Sequence, residues 1–291
     1  MWYCGLNLIT MEYKYIDTHA HLNLSAFDED RGEVIGRCVE AGVGVINIGT
    51  KLSTSQKAVE IAEVNENMWA IVGLHPIQTT PEYHSEDEIG GTAFTSQGEV
   101  FDADVYKTLA QSKKVVGIGE CGFDYWHNGI DTYGVQEEAF LKQIALANEL
   151  ELPLMIHTRD PKKGEQSPTG RSVYDDVYDI LKKHCTVPAN IHFYAGSWEQ
   201  AKKFFDIGCT VSFTGVITFA QDYEEVVRNA PLENMHAETD CPYVAPVPFR
   251  GKRCEPAMVK EVYKKIAEIK KLPEEEVQEQ LLENAKRLYN I

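Results

Sequence analysis

Two histidines follow an aspartate in Asp17-Thr18-His19-Ala20-His21, and a glutamate stands among glycines in Gly119-Glu120-Cys121-Gly122. Further along, Ile156-His157, Ile191-His192 and Glu238-Thr239-Asp240 each place an imidazole or a carboxylate at the end of a largely apolar run. Imidazole nitrogens and carboxylate oxygens together suit divalent cations such as Mg, Mn or Zn. Glu120 has two oxygens and can bridge two ions. His19, His21, Glu120, His157, His192 and Asp240 are therefore the candidate ligands of a pair of metal ions. Two close cations lower the pKa of a shared water and neutralise the charge that builds on a phosphoryl oxygen, which is hydrolytic chemistry. Asp240 is placed to bind a metal, to orient that water and to take its proton.

Other residues near these runs are read by their chemistry. Arg159, two residues after His157, carries a planar fork suited to a pair of anionic oxygens and is a candidate phosphate clamp. The competing reading is an ion pair with Asp160. His75, before Pro76, is open between a ligand and a substrate-side group. Asp124 reads as a turn former or a partner behind the ligands, Glu238 as a supporting group, and His127 as a surface or loop histidine.

These residues need elements to bring them together. Runs at 15–17, 43–48, 69–74, 115–120, 152–156, 188–193, 208–213 and 235–239 read as strands. Helical periodicity predicts helices near 30–41, 54–66, 100–112, 134–149, 172–184, from Ser197, 222–229, 255–270 and 273–288. About eight βα units in one uninterrupted α/β domain predict a closed (β/α)8 TIM barrel over residues 15–291, with 1–14 as an N-terminal extension. In a strand His19 and His21 share one face, and the C-terminal strand ends of such a barrel carry its chemistry. A dinucleotide-binding sheet has little support, because no Gly-x-Gly-x-x-Gly follows the first strand. Residues 77–98 and 160–171 are polar and aperiodic, and read as long loops, the first a candidate lid.

Composition sets further bounds. The chain has 291 residues, 43% hydrophobic and 25% charged, as in ordinary soluble proteins. No apolar run approaches the roughly 18 residues of a membrane span, and the first ten residues lack the marks of a signal peptide. The expectation is a cytoplasmic protein with no membrane association and no obligate protein partner. Seven cysteines without a Cys-x-x-Cys pair argue against a disulfide framework and a thiolate zinc site. Cys121 and Cys241, each beside a suspected ligand, read as packing. The formal net charge of −17 opposes binding of a polyanion through a basic surface. Attraction would have to be local, from metal ions and a few Arg and Lys residues.

Several longer motifs carry a family resemblance. Asp-Thr-His-Ala-His-Leu (17–22), Gly-Leu-His-Pro (73–76), Gly-Glu-Cys-Gly-Phe-Asp-Tyr (119–125) and Leu-Met-Ile-His-Thr-Arg-Asp (154–160) resemble the TatD family of metal-dependent deoxyribonucleases. His-Phe-Tyr-Ala-Gly-Ser (192–197), Glu-Thr-Asp-Cys-Pro-Tyr-Val-Ala-Pro (238–246) and Arg-Gly-Lys-Arg-Cys-Glu-Pro (250–256) resemble it too. The resemblance implies a TIM barrel of the amidohydrolase superfamily without a carbamylated lysine. It implies one metal on His19, His21, Glu120 and Asp240, and another on Glu120, His157 and His192. Arg250, Lys252 and Arg253 would form a basic rim that holds phosphates with Arg159. Cys254 in place of Asn, Cys121 in place of an aliphatic residue, and the enlarged loops 78–100 and 160–171 depart from the family pattern and bear on substrate shape. The expected activity is metal-dependent phosphodiester hydrolysis, of an exonuclease type on DNA. The alternatives are a small phosphoester, lactone or amide on the same site, or an interaction protein whose barrel has lost its chemistry.

Overall fold

The computed structural model describes residues 13–84, 94–127 and 129–291. Its strands are β1 (Tyr15–Ala20), β2 (Val43–Ile48), β3 (Met68–Val72), β4 (Pro81–His84), β5 (Phe94–Gln97), β6 (Val115–Asp124), β7 (Leu154–Arg159), β8 (Ala189–Ile191), β9 (Thr210–Phe213) and β10 (Met235–Ala237). Eight of them form one sheet of parallel strands in the order β1-β2-β3-β6-β7-β8-β9-β10. Ala20 bridges Cys241 in parallel register, His21 N–H donates to Cys241 O at 3.0 Å, and Asp240 N–H donates to His19 O at 2.9 Å. These bonds close the sheet into the expected (β/α)8 barrel. Asp17 fastens the same seam, accepting the Thr239 N–H at 2.9 Å and the Thr239 hydroxyl at 2.5 Å. The aspartate that opens the first motif therefore joins the first strand to the last.

The helices are α1 (Arg31–Ala41), α2 (Leu52–Glu63), α3 (Ala103–Leu109), α4 (Gly129–Leu150), α5 (Val173–His184), α6 (Trp198–Asp206), α7 (Glu224–Asn229), α8 (Val259–Lys270) and α9 (Glu274–Tyr289). Their starts follow local chemistry. Asp102 caps α3, Ser172 caps α5, and Ser197 with Gln200 forms a capping box on α6. Strands β2 and β6 are buried on both faces, as a covered parallel sheet requires. One cluster joins Ile16, Ile46, Ile48, Ile71, Val116 and Met155 from alternate strand positions to Leu282, Ala285 and Tyr289 of α9. The final helix thus packs against the inward-facing residues of the barrel.

Tyr13 packs edge-on against Trp69, and Lys14 N–H donates to Gly42 O at 2.9 Å. These two residues join the body of the barrel; the expected extension before them lies outside the described residues. The stretch read as a loop over 77–98 instead contains a hairpin, with β4 and β5 antiparallel and Pro81 opposite Gln97. Ser96 Oγ holds it by donating to Thr80 O at 2.5 Å and accepting Glu82 N–H at 2.9 Å. Four-residue strands with so few apolar side chains leave little periodicity to read.

Candidate metal centre

Five segments bring the six expected ligands to the C-terminal mouth of the barrel. The glycines around Glu120 explain how its strand turns there. Gly119 and Gly122 have φ of +139° and +138°, and a Cβ on them would lie 2.4 Å from Met155 O and 2.2 Å from His157 O. Only glycine permits both the conformation and the approach to β7. Phe193 and Asp240 also adopt positive φ, 44° and 55°. Strained backbone of this kind persists where surrounding structure holds it, often at functional sites.

Glu120 is 3% exposed and lies at the centre of the cluster. His192 Nε2, His157 Nδ1 and His75 Nε2 lie 2.7, 2.8 and 3.2 Å from its Oε1. His19 Nε2 lies 3.3 Å and His21 Nε2 4.0 Å from its Oε2. Asp240 Oδ1 completes the first group, 3.2 Å from His21 Nε2 and 3.6 Å from His19 Nε2. The other five expected ligands thus meet around Glu120, four through imidazoles directed at its carboxylate and Asp240 through His19 and His21.

This arrangement fits divalent cations. His19 Nε2 and His21 Nε2 face each other at 3.1 Å, and His157 Nδ1 faces His192 Nε2 at 3.4 Å. Three ring nitrogens crowd one carboxylate oxygen that has two lone-pair sites. A cation between the nitrogens and oxygens gives every lone pair a partner. Two of the outer nitrogens are already engaged: His21 Nδ1 bonds Ile48 O at 2.9 Å, and His157 Nε2 bonds Asp124 Oδ2 at 3.2 Å. Such bonds would leave the inner nitrogen's lone pair free for a divalent ion.

Charge follows from the same contacts. Burial opposes ionisation of Glu120, but the imidazoles of His192, His75, His19 and His157 outweigh it and hold the carboxyl well below its usual range. Burial is likewise overcome at Asp240 by His21, and at Asp124 by His127 and His157, so both carboxyls are lowered. Burial pulls His75 down to about 4, with His157 nearby adding to the effect. Its Nδ1 accepts the Ile77 N–H at 3.1 Å, so the neutral ring carries its proton on Nε2. His75 is thus a hydrogen-bond donor toward Glu120, a role that its sequence context left open.

The rim differs from expectation in part. Arg159 lies over the Trp126 ring, 4.7 Å from its centre, with Lys162 Nζ 5.6 Å from the same ring. Asp160 instead supports the Ser172-capped start of α5, accepting Val173 N–H at 2.7 Å and the Ser172 hydroxyl at 3.0 Å. Arg250 lies 4.0 Å from the centre of the Phe219 ring, and Lys252 Nζ lies 5.9 Å from that of Phe249. Arg253 is engaged elsewhere. Its fork takes both oxygens of Asp30 at 2.9 and 2.6 Å and Ala26 O at 2.6 Å, tying the 250–253 loop to the start of α1. A guanidinium so occupied is a scaffold contact, which leaves Arg159, Arg250 and Lys252 as the candidate phosphate-holding cations. His127, read as a surface histidine, is buried, with Nδ1 3.0 Å from Asp124 Oδ2. The signal for it was its i+3 spacing from Asp124. Cys121 and Cys241 are fully buried, and burial pushes their thiols well up, as packing residues require.

A family model described as TatD related DNase matches residues 16–290. This chain belongs to the TatD family. A relative from Bacillus subtilis, described as the uncharacterized metal-dependent hydrolase YabD, is 36% identical over 280 residues, 94% of this chain and 98% of its own. The 3'-5' ssDNA/RNA exonuclease TatD of Pantoea ananatis is 29% identical over 289 residues, 94% of this chain and 99% of its own. Among solved structures, the TatD homolog YjjV of Escherichia coli superposes with a TM-score of 0.78 at 24% identity, covering 96% of this chain and 98% of its own. The TatD family assignment and the donor set together make the chain a metal-dependent hydrolase. Among the described residues no helix is long and apolar enough to cross a membrane.

Proposed function

We propose that this TatD-family hydrolase cleaves phosphodiester bonds, with DNA as its substrate and release of nucleotides from a strand end. The observation that carries the reading is the Glu120 carboxylate, with imidazoles on both oxygens and Asp240 beside one group. His19, His21, Asp240 and Glu120 would hold one divalent cation; Glu120, His157 and His192 would hold a second. Bound there, the ions supply Lewis-acid polarisation and charge neutralisation. Asp240, with a side chain 15% exposed, is the carboxylate of the cluster most open to solvent. Held ionised, it takes the proton of the water that attacks phosphorus. The new P–O bond forms as the bond to the leaving sugar oxygen breaks, and the proton returns to that oxygen. Arg159, Arg250 and Lys252 hold the flanking phosphates, and the His75 Nε2–H, 3.2 Å from Glu120 Oε1, turns to an anionic substrate oxygen when one lies beside that carboxylate.

The test is purified protein, stripped with chelator and reloaded with Mg, Mn or Zn, acting on end-labelled single-stranded and duplex oligonucleotides and on bis(p-nitrophenyl) phosphate. Metal-dependent release of nucleotides is expected, and Glu120→Ala should abolish it with the circular dichroism spectrum retained. Full activity in that variant refutes the bridging role of Glu120. The net charge of −17 favours a second reading, a small phosphoester, lactone or amide on the same centre. Turnover of such compounds but of no oligonucleotide would select it.

A further inference from the structure

Glu238 lies just beyond β10 with no exposed surface, and the proposed hydrolysis does not use it. Its Oε1 accepts the Phe193 N–H at 2.6 Å, and its Oε2 accepts the Ser212 hydroxyl at 2.6 Å. A carboxylate only accepts, so the Ser212 proton must point to it. Asn190 Nδ2 then donates to Ser212 Oγ at 2.8 Å, and Asn190 Oδ1 accepts from Thr210 Oγ1 at 3.0 Å. His236 Nε2 lies 3.1 Å from that same Thr210 hydroxyl. A directional chain of hydrogen bonds therefore runs through β8, β9 and β10 and ends on Glu238.

On its other side Glu238 Oε1 lies 3.5 Å from His192 Nδ1, a buried nitrogen without a closer hydrogen-bond partner. His19 stacks on His192 with ring centres 3.9 Å apart and planes within 10° of parallel. The Nδ1 of His19 is also buried and unpartnered. A nitrogen of each ring and an oxygen of Glu238 lie within 4.8 Å of one another. Both rings turn Nε2 toward Glu120, one to each oxygen.

We infer that Glu238 is a positioning residue for the metal centre. It keeps the proton of His192 on Nδ1, so that the Nε2 lone pair faces the ion, and through the stacked pair it aligns His19 with the opposite oxygen of Glu120. Ile48 O serves His21 in this way and Asp124 serves His157; Glu238 supplies the acceptor behind His192. Direct ligation by Glu238 is the poorer account, since both of its oxygens are already committed to donors of the barrel interior. The inference rests on the metal-binding part of the proposed function and not on the identity of the substrate.

Calorimetric titration with Zn or Mn on the wild type, Glu238→Ala, Glu238→Gln and Ser212→Ala tests it. Nitrogen-15 histidine spectra of the zinc-loaded proteins report which nitrogen of His192 carries the proton. The wild type should show a protected proton on Nδ1. Both Glu238 variants should lose it and bind the ion about 10- to 100-fold more weakly. Ser212→Ala, which leaves the carboxylate but removes one of its donors, should weaken binding by less. Wild-type affinity and an unchanged His192 in a folded Glu238 variant overturn the inference. If those variants do not fold, wild-type affinity in Ser212→Ala overturns it. Neither readout uses a substrate, so failure to cleave DNA refutes the proposed substrate while leaving this inference standing.

Discussion

At the scale of single residues, three imidazoles of the candidate centre have two different neighbours. In His21, His157 and His192 one nitrogen faces the Glu120 carboxylate, and the other faces Ile48 O, Asp124 or Glu238. Asp240 differs from Glu120 in its access to solvent, and the proposed hydrolysis assigns it the proton-accepting role on that ground. Asp240→Asn keeps a ligand oxygen but removes the acceptor of the proton. It should lower kcat by roughly 10²- to 10⁴-fold, with a smaller change in metal content, measured by steady-state kinetics and elemental analysis. A variant that loses its metal and its activity in parallel would mean that Asp240 acts only as a ligand. Arg253 shows that a basic residue in a motif can serve the scaffold. Its partner Asp30 is distant in sequence, and only the fold reveals that the charge is already matched.

At the scale of elements, β6 carries the demanding geometry. It is buried along its whole length and must still turn Glu120 toward strands on both sides. The glycines on either side allow this, because β7 backbone occupies the space that side chains would need. Gly122→Ala combines positive-φ strain with a Cβ 2.2 Å from His157 O. Strain of this kind alone costs about 1–3 kcal/mol, and the contact adds to it. At roughly 2–4 °C for each kcal/mol, the midpoint of thermal unfolding should fall by several degrees. The displaced His157 should weaken metal binding as well. Unfolding and metal titration at the wild-type values would contradict the packing described for this turn.

At the scale of the whole molecule, the barrel carries an acidic surface around a small set of cations, so salt and pH act at different places. Salt screens the rim, and cleavage of a polyanion should weaken as salt rises. Acid acts through buried groups such as His236, 1% exposed between β10 and α9. Burial, with Arg287 adding to it, depresses its pKa to about 3. The ring is therefore neutral in the fold at pH values where an unfolded chain, with a histidine near 6.5, has taken up a proton. Stability at this residue is unaffected above about 6.5 and is lost as pH falls toward 3, by up to about 1.4 kcal/mol for each unit. His236→Gln should flatten the difference between denaturation curves at pH 6.5 and pH 4.5. Equal pH dependence in both proteins would place the acid sensitivity elsewhere.

The alternation of strands and helices was legible because the apolar periods of 2 and 3.6 are local properties, and most predicted elements fall within a few residues of those observed. The meeting of the candidate ligands was legible too, because each ends an apolar run and the barrel places all such ends at one mouth. The antiparallel pairing of β4 with β5 was not, since it joins polar strands by backbone bonds. Nor were the burial of His127, the fork of Arg253 on Asp30, or the chain from Asn190 to Glu238. Sequence by itself determined which residues could hold metal and on which strand ends they sit, because side-chain chemistry and strand period are written locally. Tertiary structure alone decided which nitrogen faces the carboxylate, which charges are already paired and which donors hold the supporting acids. Those depend on neighbours brought together from distant parts of the chain by closure of the barrel.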